Sequence, residues 1–358
     1  MPALLILAFV LHGVFALVLV GNLVYLRKRR PLAPSGRNPL PGLSVLIPAR
    51  NEAPRLGGLL DDLKRQDHPA FEVVVVDDAS TDGTGDLVLA ASDDRFRLVR
   101  TECPPAGWLG KPHALVRAAS EARFDRFLFL DADVRLVGHD ALSRMGGLFE
   151  ASPARSVLTG LKRFEGSGLL LESQVPAAIL TGLPWPLVRR FRHRSLAALN
   201  GQVWMIDAGE YRAHDPHAFC RNEILEDVQI GRYLKTRGLT PVLADLRDTV
   251  RVHMYDSLPE AWLGFRKNAY LIMGGRPAPF LALWVLFGIA FIVAPIVWPI
   301  LFLSLFGLRF VSDRFMRFPI WLPLAGPVSY LLASLLQADS FVSHLGRRVT
   351  WKGRSVVD

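Results

Sequence analysis

Three long stretches without a charged side chain decide what this chain can become. Met1 to Leu26 contains no Asp, Glu, Lys or Arg, and the same holds for Pro277 to Leu308 and for Phe318 to Gln337. A bilayer core takes about 20 apolar residues as helix, and within it only helices and closed barrels satisfy their own backbone. Each stretch is long enough to span. The first reads as a retained anchor rather than a cleaved leader. No positive charge precedes it, Arg27-Lys28-Arg29-Arg30 follows it, and no small-x-small cleavage site comes after.

The net charge of +9 suggests nucleic acid until it is located. Arg27, Lys28, Arg29, Arg30 and Arg37 follow the first stretch, and Arg347, Arg348, Lys352 and Arg354 follow the last; without these nine the chain is balanced. The excess is juxtamembrane, so positive-inside orientation accounts for it and no nucleic-acid partner is expected. Both basic flanks then lie in the cytoplasm, which needs an odd number of spans, and three fit. The loop Arg309 to Arg317 would lie outside, with three arginines and one aspartate against the rule. Pro295 and Pro299 are placed to break the second stretch into a hairpin, which would make four spans and put the tail outside. The two cysteines, Cys103 and Cys220, lack neighbours at metal-ligand spacing and read as ordinary thiols in a reducing compartment.

Between the apolar ends, strands and helices alternate. Pro31 to Gly42, with four prolines and two glycines, reads as a linker. Leu43 to Ile47 is a strand, Leu56 to Leu63 has helical spacing, and Phe71 to Val76 and Phe127 to Leu130 are further apolar strands. Near-continuous apolar strands separated by helices predict an α/β, Rossmann-like, mostly parallel sheet covered on both faces. In such sheets ligands bind outside the strands' carboxyl ends. Polar clusters fall there three times: Pro48-Ala49-Arg50-Asn51-Glu52, Asp77-Asp78-Ala79-Ser80 and Asp131-Ala132-Asp133. The last pair supplies hard oxygen ligands of the kind that suit Mg²⁺ or Mn²⁺. No Walker lysine loop and no G-x-G-x-x-G follows the first strand.

These blocks, together with Gly110-Lys111 and Glu226-Asp227, in this order from about Leu43 to Tyr255, resemble the family 2 glycosyltransferases, membrane-associated enzymes of the GT-A nucleotide-sugar fold. One amino-terminal span, a catalytic domain and carboxyl-terminal spans, with Gly107-Trp108-Leu109-Gly110-Lys111 and Trp351-Lys352-Gly353-Arg354, resemble the branch associated with carotenoid and hopanoid glycosylation. The resemblance implies a GT-A domain with two carboxyl-terminal transmembrane helices, or three if the second stretch is a hairpin. It implies Asp78 as base contact, and Pro48, Arg50, Glu52 and Lys111 lining the nucleotide-sugar site. Asp133 would be the metal ligand, with Asp131 nearer the ribose or reaching the metal through water. Asp227 would be the base that deprotonates an acceptor hydroxyl in an inverting transfer. A helix-dipole role competes for Asp227, a helix cap for Asp78, and plain surface solvation for Arg50, Glu52 and Lys111.

The expected layout is an anchor at 1–26, a basic linker at 27–42, a catalytic domain at 43–255, an interfacial helix at 256–276, spans at 277–308 and 318–338, and a basic cytoplasmic tail at 339–358. The expected function is transfer from a nucleotide-sugar, UDP-linked by preference, to a hydroxylated membrane lipid at the cytoplasmic face of the cell membrane, with Mg²⁺ or Mn²⁺. A polyprenyl-phosphate acceptor and an inactive binding subunit are the alternatives. The Q-x-x-R-W motif of processive members is missing: the corresponding stretch reads Trp262-Leu263-Gly264-Phe265-Arg266-Lys267-Asn268. A single transfer is therefore expected rather than chain synthesis.

Overall fold

A computed structural model describes residues 2–31, 40–351 and 354–355. Most of the expected linker, including Arg37, lies outside the described residues, as do Lys352 and Gly353 of the carboxyl-terminal motif. The chain divides into two compact units. One comprises Leu26–Arg163 and Trp185–His253, the other Met1–Tyr25, Phe164–Pro184 and Met254–Asp358. The expected block 43–255 is thus interrupted, because Phe164–Pro184 groups with the apolar segments.

The first unit is the α/β body. Its strands, in chain order, are β1 (Leu43–Ala49), β2 (Phe71–Asp78), β3 (Phe96–Thr101), β4 (Arg126–Leu130), β5 (Val134–Leu136), β6 (Ser156–Leu161), then, past β7 (Arg163–Glu165) at the unit boundary, β8 (Val203–Asp207), β9 (Thr240–Asp245) and β10 (Val250–His253). Seven of them form one sheet in the order β3-β2-β1-β4-β8-β6-β9. The pairs β3-β2, β2-β1, β1-β4 and β6-β9 are parallel, and β8 alone runs antiparallel to its neighbours β4 and β6. The β-branched run Val73–Val76 is wholly buried, as a strand covered on both faces must be. The helix Ala53–Lys64 buries Leu56, Leu59, Leu60 and Leu63, an i, i+3, i+4, i+7 stripe turned onto the sheet. Behind β4 and β8 the core is aromatic: Phe129 stacks on Trp204 at 4.1 Å between centroids, with Tyr211 packed on Phe129 and His217 on both.

One consequence of the single reversed strand positions the site. Leu130 at the end of β4 pairs with Val203 at the start of β8, so the turn Asn200–Gln202 lies at the same sheet edge as Asp131. Strand β6 runs with β4, and its end at Leu161 brings Lys162 to that edge too.

The second unit is helical. Two of its helices, Ala3–Arg27 and Pro277–Val297, are long and apolar enough to cross a membrane. The expected span 277–308 does not continue as one helix: the backbone leaves helical geometry at Trp298, before Pro299, and a new helix runs Ile300–Phe315. The expected span 318–338 likewise starts with a turn and the short helix Trp321–Leu324. Its long helix begins only at Gly326 and runs to Leu345, with Pro319, Pro323 and Pro327 punctuating the entry. The expected outer loop Arg309–Arg317 is mostly helix, and Arg309 and Asp313 are buried in a 3.1 Å ion pair one turn apart. Pairing at i, i+4 lets two charges enter an apolar body together that neither would enter alone. The expected interfacial segment forms the helices Leu258–Arg266 and Ala269–Ile272. Trp262 turns inward and donates to Asp339 at 2.7 Å, and Tyr270 packs on Phe280 and Phe341, leaving Leu263 and Ile272 exposed.

Candidate active site

The loops after β1 and β2 are stapled to one another. The Asn51 N–H donates to Ser80 Oγ (3.0 Å), the Thr81 N–H to Asn51 Oδ1 (2.9 Å), the Glu52 N–H to Thr84 Oγ1 (2.8 Å) and the Ala53 N–H to Asp82 Oδ2 (3.0 Å). Thr84 in turn donates to Asp82 through both its N–H and its hydroxyl. Asp82 is held below the usual carboxylate range, because these hydrogen bonds together outweigh its desolvation. Asn51 and Ala79 carry φ of 51° and 52°, left-handed values that non-glycine residues hold only when the surroundings fix them.

Arg50 braces this cradle, with Nη1 donating to the carbonyl oxygens of Asp78 (2.7 Å) and Ala79 (3.3 Å). Pro48 sits within β1 in register with Val76. Asp78 is 3% exposed, and the local turn bond belongs to its neighbour: Asp77 Oδ1 accepts from the Ser80 N–H at 3.0 Å. The helix that follows starts at Thr84 behind Gly83, so the capping role weighed for Asp78 is not the one it performs. An open cavity of about 440 Å³ borders the same loop, reaching from Asp77, Ser80 and Thr81 to Arg100 and Thr101 at the end of β3.

At the end of β4 the carboxylates gather around one lysine. Lys111, on the first turn of the helix Gly110–Glu121, lies 2.8 Å from Asp131 and 3.1 Å from Glu226. Desolvation pulls its ammonium down, but Asp131, Glu226 and Asp227 together hold it above the ordinary lysine range. Glu226 is pushed up by burial and by its acidic neighbours, against the pull of Lys111. Asp227 opens the helix Glu226–Thr236. Its Oδ2 accepts from the Gly201 N–H and its Oδ1 from the Val228 N–H, both at 2.8 Å.

Asp133 is a second buried acid at this edge. Gln202 donates to its Oδ2 at 3.0 Å, while Oδ1 is buried and has no hydrogen-bond partner among the described residues. Burial, then the charges of Asp131 and Glu52, push its proton up to about 7. A buried carboxylate oxygen without a donor, two residues from a second carboxylate, suits a hard divalent ion. Among the described residues no group of three His, Cys, Asp or Glu converges on one point. The protein side of such a site is thus two carboxylates, which matches an ion that keeps waters and takes its remaining oxygens from a phosphate substrate.

The structure therefore brings Lys111, Asp131, Asp133 and Asp227 to one edge and groups Arg50, Glu52 and Asp78 in the adjoining cradle. Lys162 went unnoticed in the sequence. It is 1% exposed, bonded to Asn200 Oδ1, and driven down to about 7 by desolvation despite Asp133, Asp131 and Asp227 nearby. Its signal was a lone lysine closing the buried strand Ser156–Leu161.

Residues 44–203 match the family described as glycosyl transferase family 2. Curated relatives include 4,4'-diaponeurosporenoate glycosyltransferase of Staphylococcus aureus strain USA300, 25% identical over 252 residues, and that of strain MRSA252, 26% identical over the same length. The matched region covers 68% of this chain and 65% of those relatives, so it spans less than two thirds of their length. Among solved structures, the mannosyltransferase PcManGT from Pyrobaculum calidifontis, in complex with GDP-Man and Mn²⁺, superposes with a TM-score of 0.57 at 20% identity, covering 98% of this chain and 100% of that one. The body is thus a GT-A-like α/β fold with a mostly parallel sheet. Its polar strand ends carry the blocks singled out in the sequence, and the segment 44–203 that bears most of them is similar to glycosyl transferase family 2.

Proposed function

We propose that the chain is an inverting glycosyltransferase that moves a sugar from a nucleotide-sugar, UDP-linked by preference, to a hydroxylated membrane lipid of carotenoid or hopanoid type at the cytoplasmic face of the cell membrane. The observation that carries the reading is the grouping of Asp131, Glu226 and Asp227 around Lys111, with Asp133 next to Asp131. A charged diphosphate leaving group and an attacking hydroxyl need two such sets of groups a short distance apart. The name of the S. aureus relatives supports a carotenoid-type acceptor, in their case a carboxylate rather than a hydroxyl, and the apolar helices at both ends of the chain support the membrane.

In this reading the stapled cradle and Asp78 receive the nucleotide base, and Lys111 places a positive charge for the diphosphate. Asp133, with Asp131, would hold Mg²⁺ or Mn²⁺, which would neutralise the diphosphate as it departs. Asp227 takes the proton from the acceptor hydroxyl, its carboxylate oriented by the Gly201 and Val228 N–H groups. Because each oxygen of Asp227 already accepts a main-chain N–H, a second reading has support of its own. A polyprenyl phosphate attacks without needing a base, and hydrogen-bonded carboxylates are weaker bases.

The test is a donor panel including UDP- and GDP-linked sugars with Mn²⁺ or Mg²⁺, offered hydroxylated carotenoids, hopanoids and polyprenyl phosphate. Transfer to the hydroxylated lipids is expected. Faster turnover of water-soluble sugar acceptors would defeat the lipid reading, and hydrolysis or transfer of no donor at all would favour an inactive binding subunit.

A further inference from the structure

The α/β body carries a patch that the transfer reaction does not use. From Ser173 to Ile206 the sequence has no Asp or Glu, yet it holds Arg189, Arg190, Arg192 and Arg194, with His193 among them. All four arginines are exposed, and none forms an ion pair among the described residues. The field reaches beyond the loop: Arg232 on the helix Glu226–Thr236 is held below the usual guanidinium range by desolvation and by Arg194.

Two large apolar side chains share the patch. Leu187 is 41% exposed and Phe191 48%, and the Phe191 N–H donates to the Leu187 carbonyl at 3.1 Å, so one turn presents both on the same side. Trp185 and Val188 point the other way, into the body, and Lys235 donates to the Val188 carbonyl and pins the turn. The exposed apolar pair is therefore not a misplaced piece of core.

We propose that residues 187–194 form a docking surface for an anionic bilayer, with the four arginines among lipid phosphates and Leu187 and Phe191 inserted beneath them. Clustered arginines with apolar side chains between them fit a headgroup layer, where charge stays at phosphate level and apolar atoms reach the acyl boundary. Chain connectivity brings a bilayer within reach. Asn22, near the end of the apolar helix Ala3–Arg27, donates to the carbonyl oxygens of Leu180 (2.7 Å) and Leu183 (2.8 Å). Leu187 follows Leu183 by four residues, at most about 14 Å of extended backbone. The inference is independent of which sugar or acceptor the active site takes.

The experiment uses the full chain in lipid nanodiscs. Cys103 is exposed and is replaced by serine. Cys220 is buried, with its thiol pushed up to about 12, and stays unreactive. A Phe191→Cys variant then carries a polarity-sensitive fluorophore, and a Leu89→Cys variant serves as an exposed control. In discs with about one third phosphatidylglycerol, the label at 191 is expected to shift to shorter wavelength and to be quenched by doxyl-lipid, with no change at 89. Each arginine replaced by glutamine should weaken the contact about fivefold, so R189Q/R190Q/R192Q/R194Q should abolish the quenching without moving the thermal midpoint. High salt and phosphatidylcholine-only discs should weaken it as well. Absence of quenching at 191, quenching that ignores lipid charge, or protection of the label only by RNA or an acidic protein would each overturn the proposal.

Discussion

Gly201 is the residue through which the two sides of the site touch. A Cβ there would lie 3.2 Å from Asp227 Cβ and Oδ2 and 3.3 Å from Lys111 Nζ. The lysine tip moves easily, but Asp227 Cβ is fixed by a helix. Gly201→Ala should therefore displace Asp227 by a few tenths of an ångström and lower kcat by about tenfold, with a smaller change in KM; misplacement of a reacting group by about 1 Å costs up to 10²-fold. Asp227→Asn keeps the shape and removes the proposed base, so in that reading turnover on a hydroxyl acceptor should fall roughly 10²- to 10⁴-fold. Nearly intact turnover would move the preference to a phosphate acceptor. Asp133→Ala should abolish the divalent-ion-dependent part of donor affinity in calorimetry while leaving the thermal midpoint in place. Unchanged metal-dependent affinity would remove Asp133 from the ion's shell.

The aromatic cluster behind β4 and β8 titrates as an element. His217 is 1% exposed, with its Nδ1 and the Tyr211 hydroxyl hydrogen-bonded at 2.8 Å, and burial followed by the charge of Lys111 pulls its pKa down to about 3. The unfolded chain would protonate it near 6.5. The unfolded state therefore binds the extra proton, and the stability that this histidine contributes is present above pH 6.5 and drains away as pH falls towards 3. Between pH 7 and pH 5 the loss is roughly 2 kcal/mol. Thermal unfolding of His217→Asn should accordingly depend less on pH over that range than the parent; equal slopes would mean that the ring is not held neutral. The position of this cluster also shows what a sequence conveys and what it does not. Strands β1, β2 and β4 and their terminal acids were legible because buried parallel strands are apolar runs ending in loops. Lys162 was not, because only the antiparallel insertion of β8 between β4 and β6 carries it to the edge, and strand order leaves no local pattern. The turn bond from the Ser80 N–H to Asp77 was equally hidden, since Asp77 and Asp78 differ only in which way a pleated strand turns them. Phe164–Pro184 did not follow from hydropathy, which counts apolar residues without registering which partner buries them, whereas the end of the helix at Trp298 was legible in Pro295 and Pro299.

At the scale of the whole molecule, orientation is the open physical question that the chain's own chemistry can answer. Arg27 to Arg30 follow the first apolar helix, and in the proposed reading positive-inside placement has the α/β body in the cytoplasm. Cys103 is exposed on that body and Cys220 is buried, so one native thiol reports the side. A membrane-impermeant maleimide should leave intact cells unlabelled and modify Cys103 once they are opened. Labelling of intact cells would place the active site outside, away from nucleotide-sugars.

The helical unit is assembled from three separated pieces of chain, Met1–Tyr25, Phe164–Pro184 and everything from Met254 on. His12 bonds to Ala290 and Ser304, and Asn22 to Leu180 and Leu183, across sequence separations of up to 292 residues. During synthesis the first helix must therefore wait, Asn22 lacking its partners until about half of the protein is made and His12 until more than two thirds is. At 5–20 residues per second that wait lasts roughly 15–60 s. A polar pair on a stranded apolar helix is what quality control reads as unfinished, so arrested or truncated chains should be cleared quickly, and only a ribosome that reaches the last helices releases a protein able to persist.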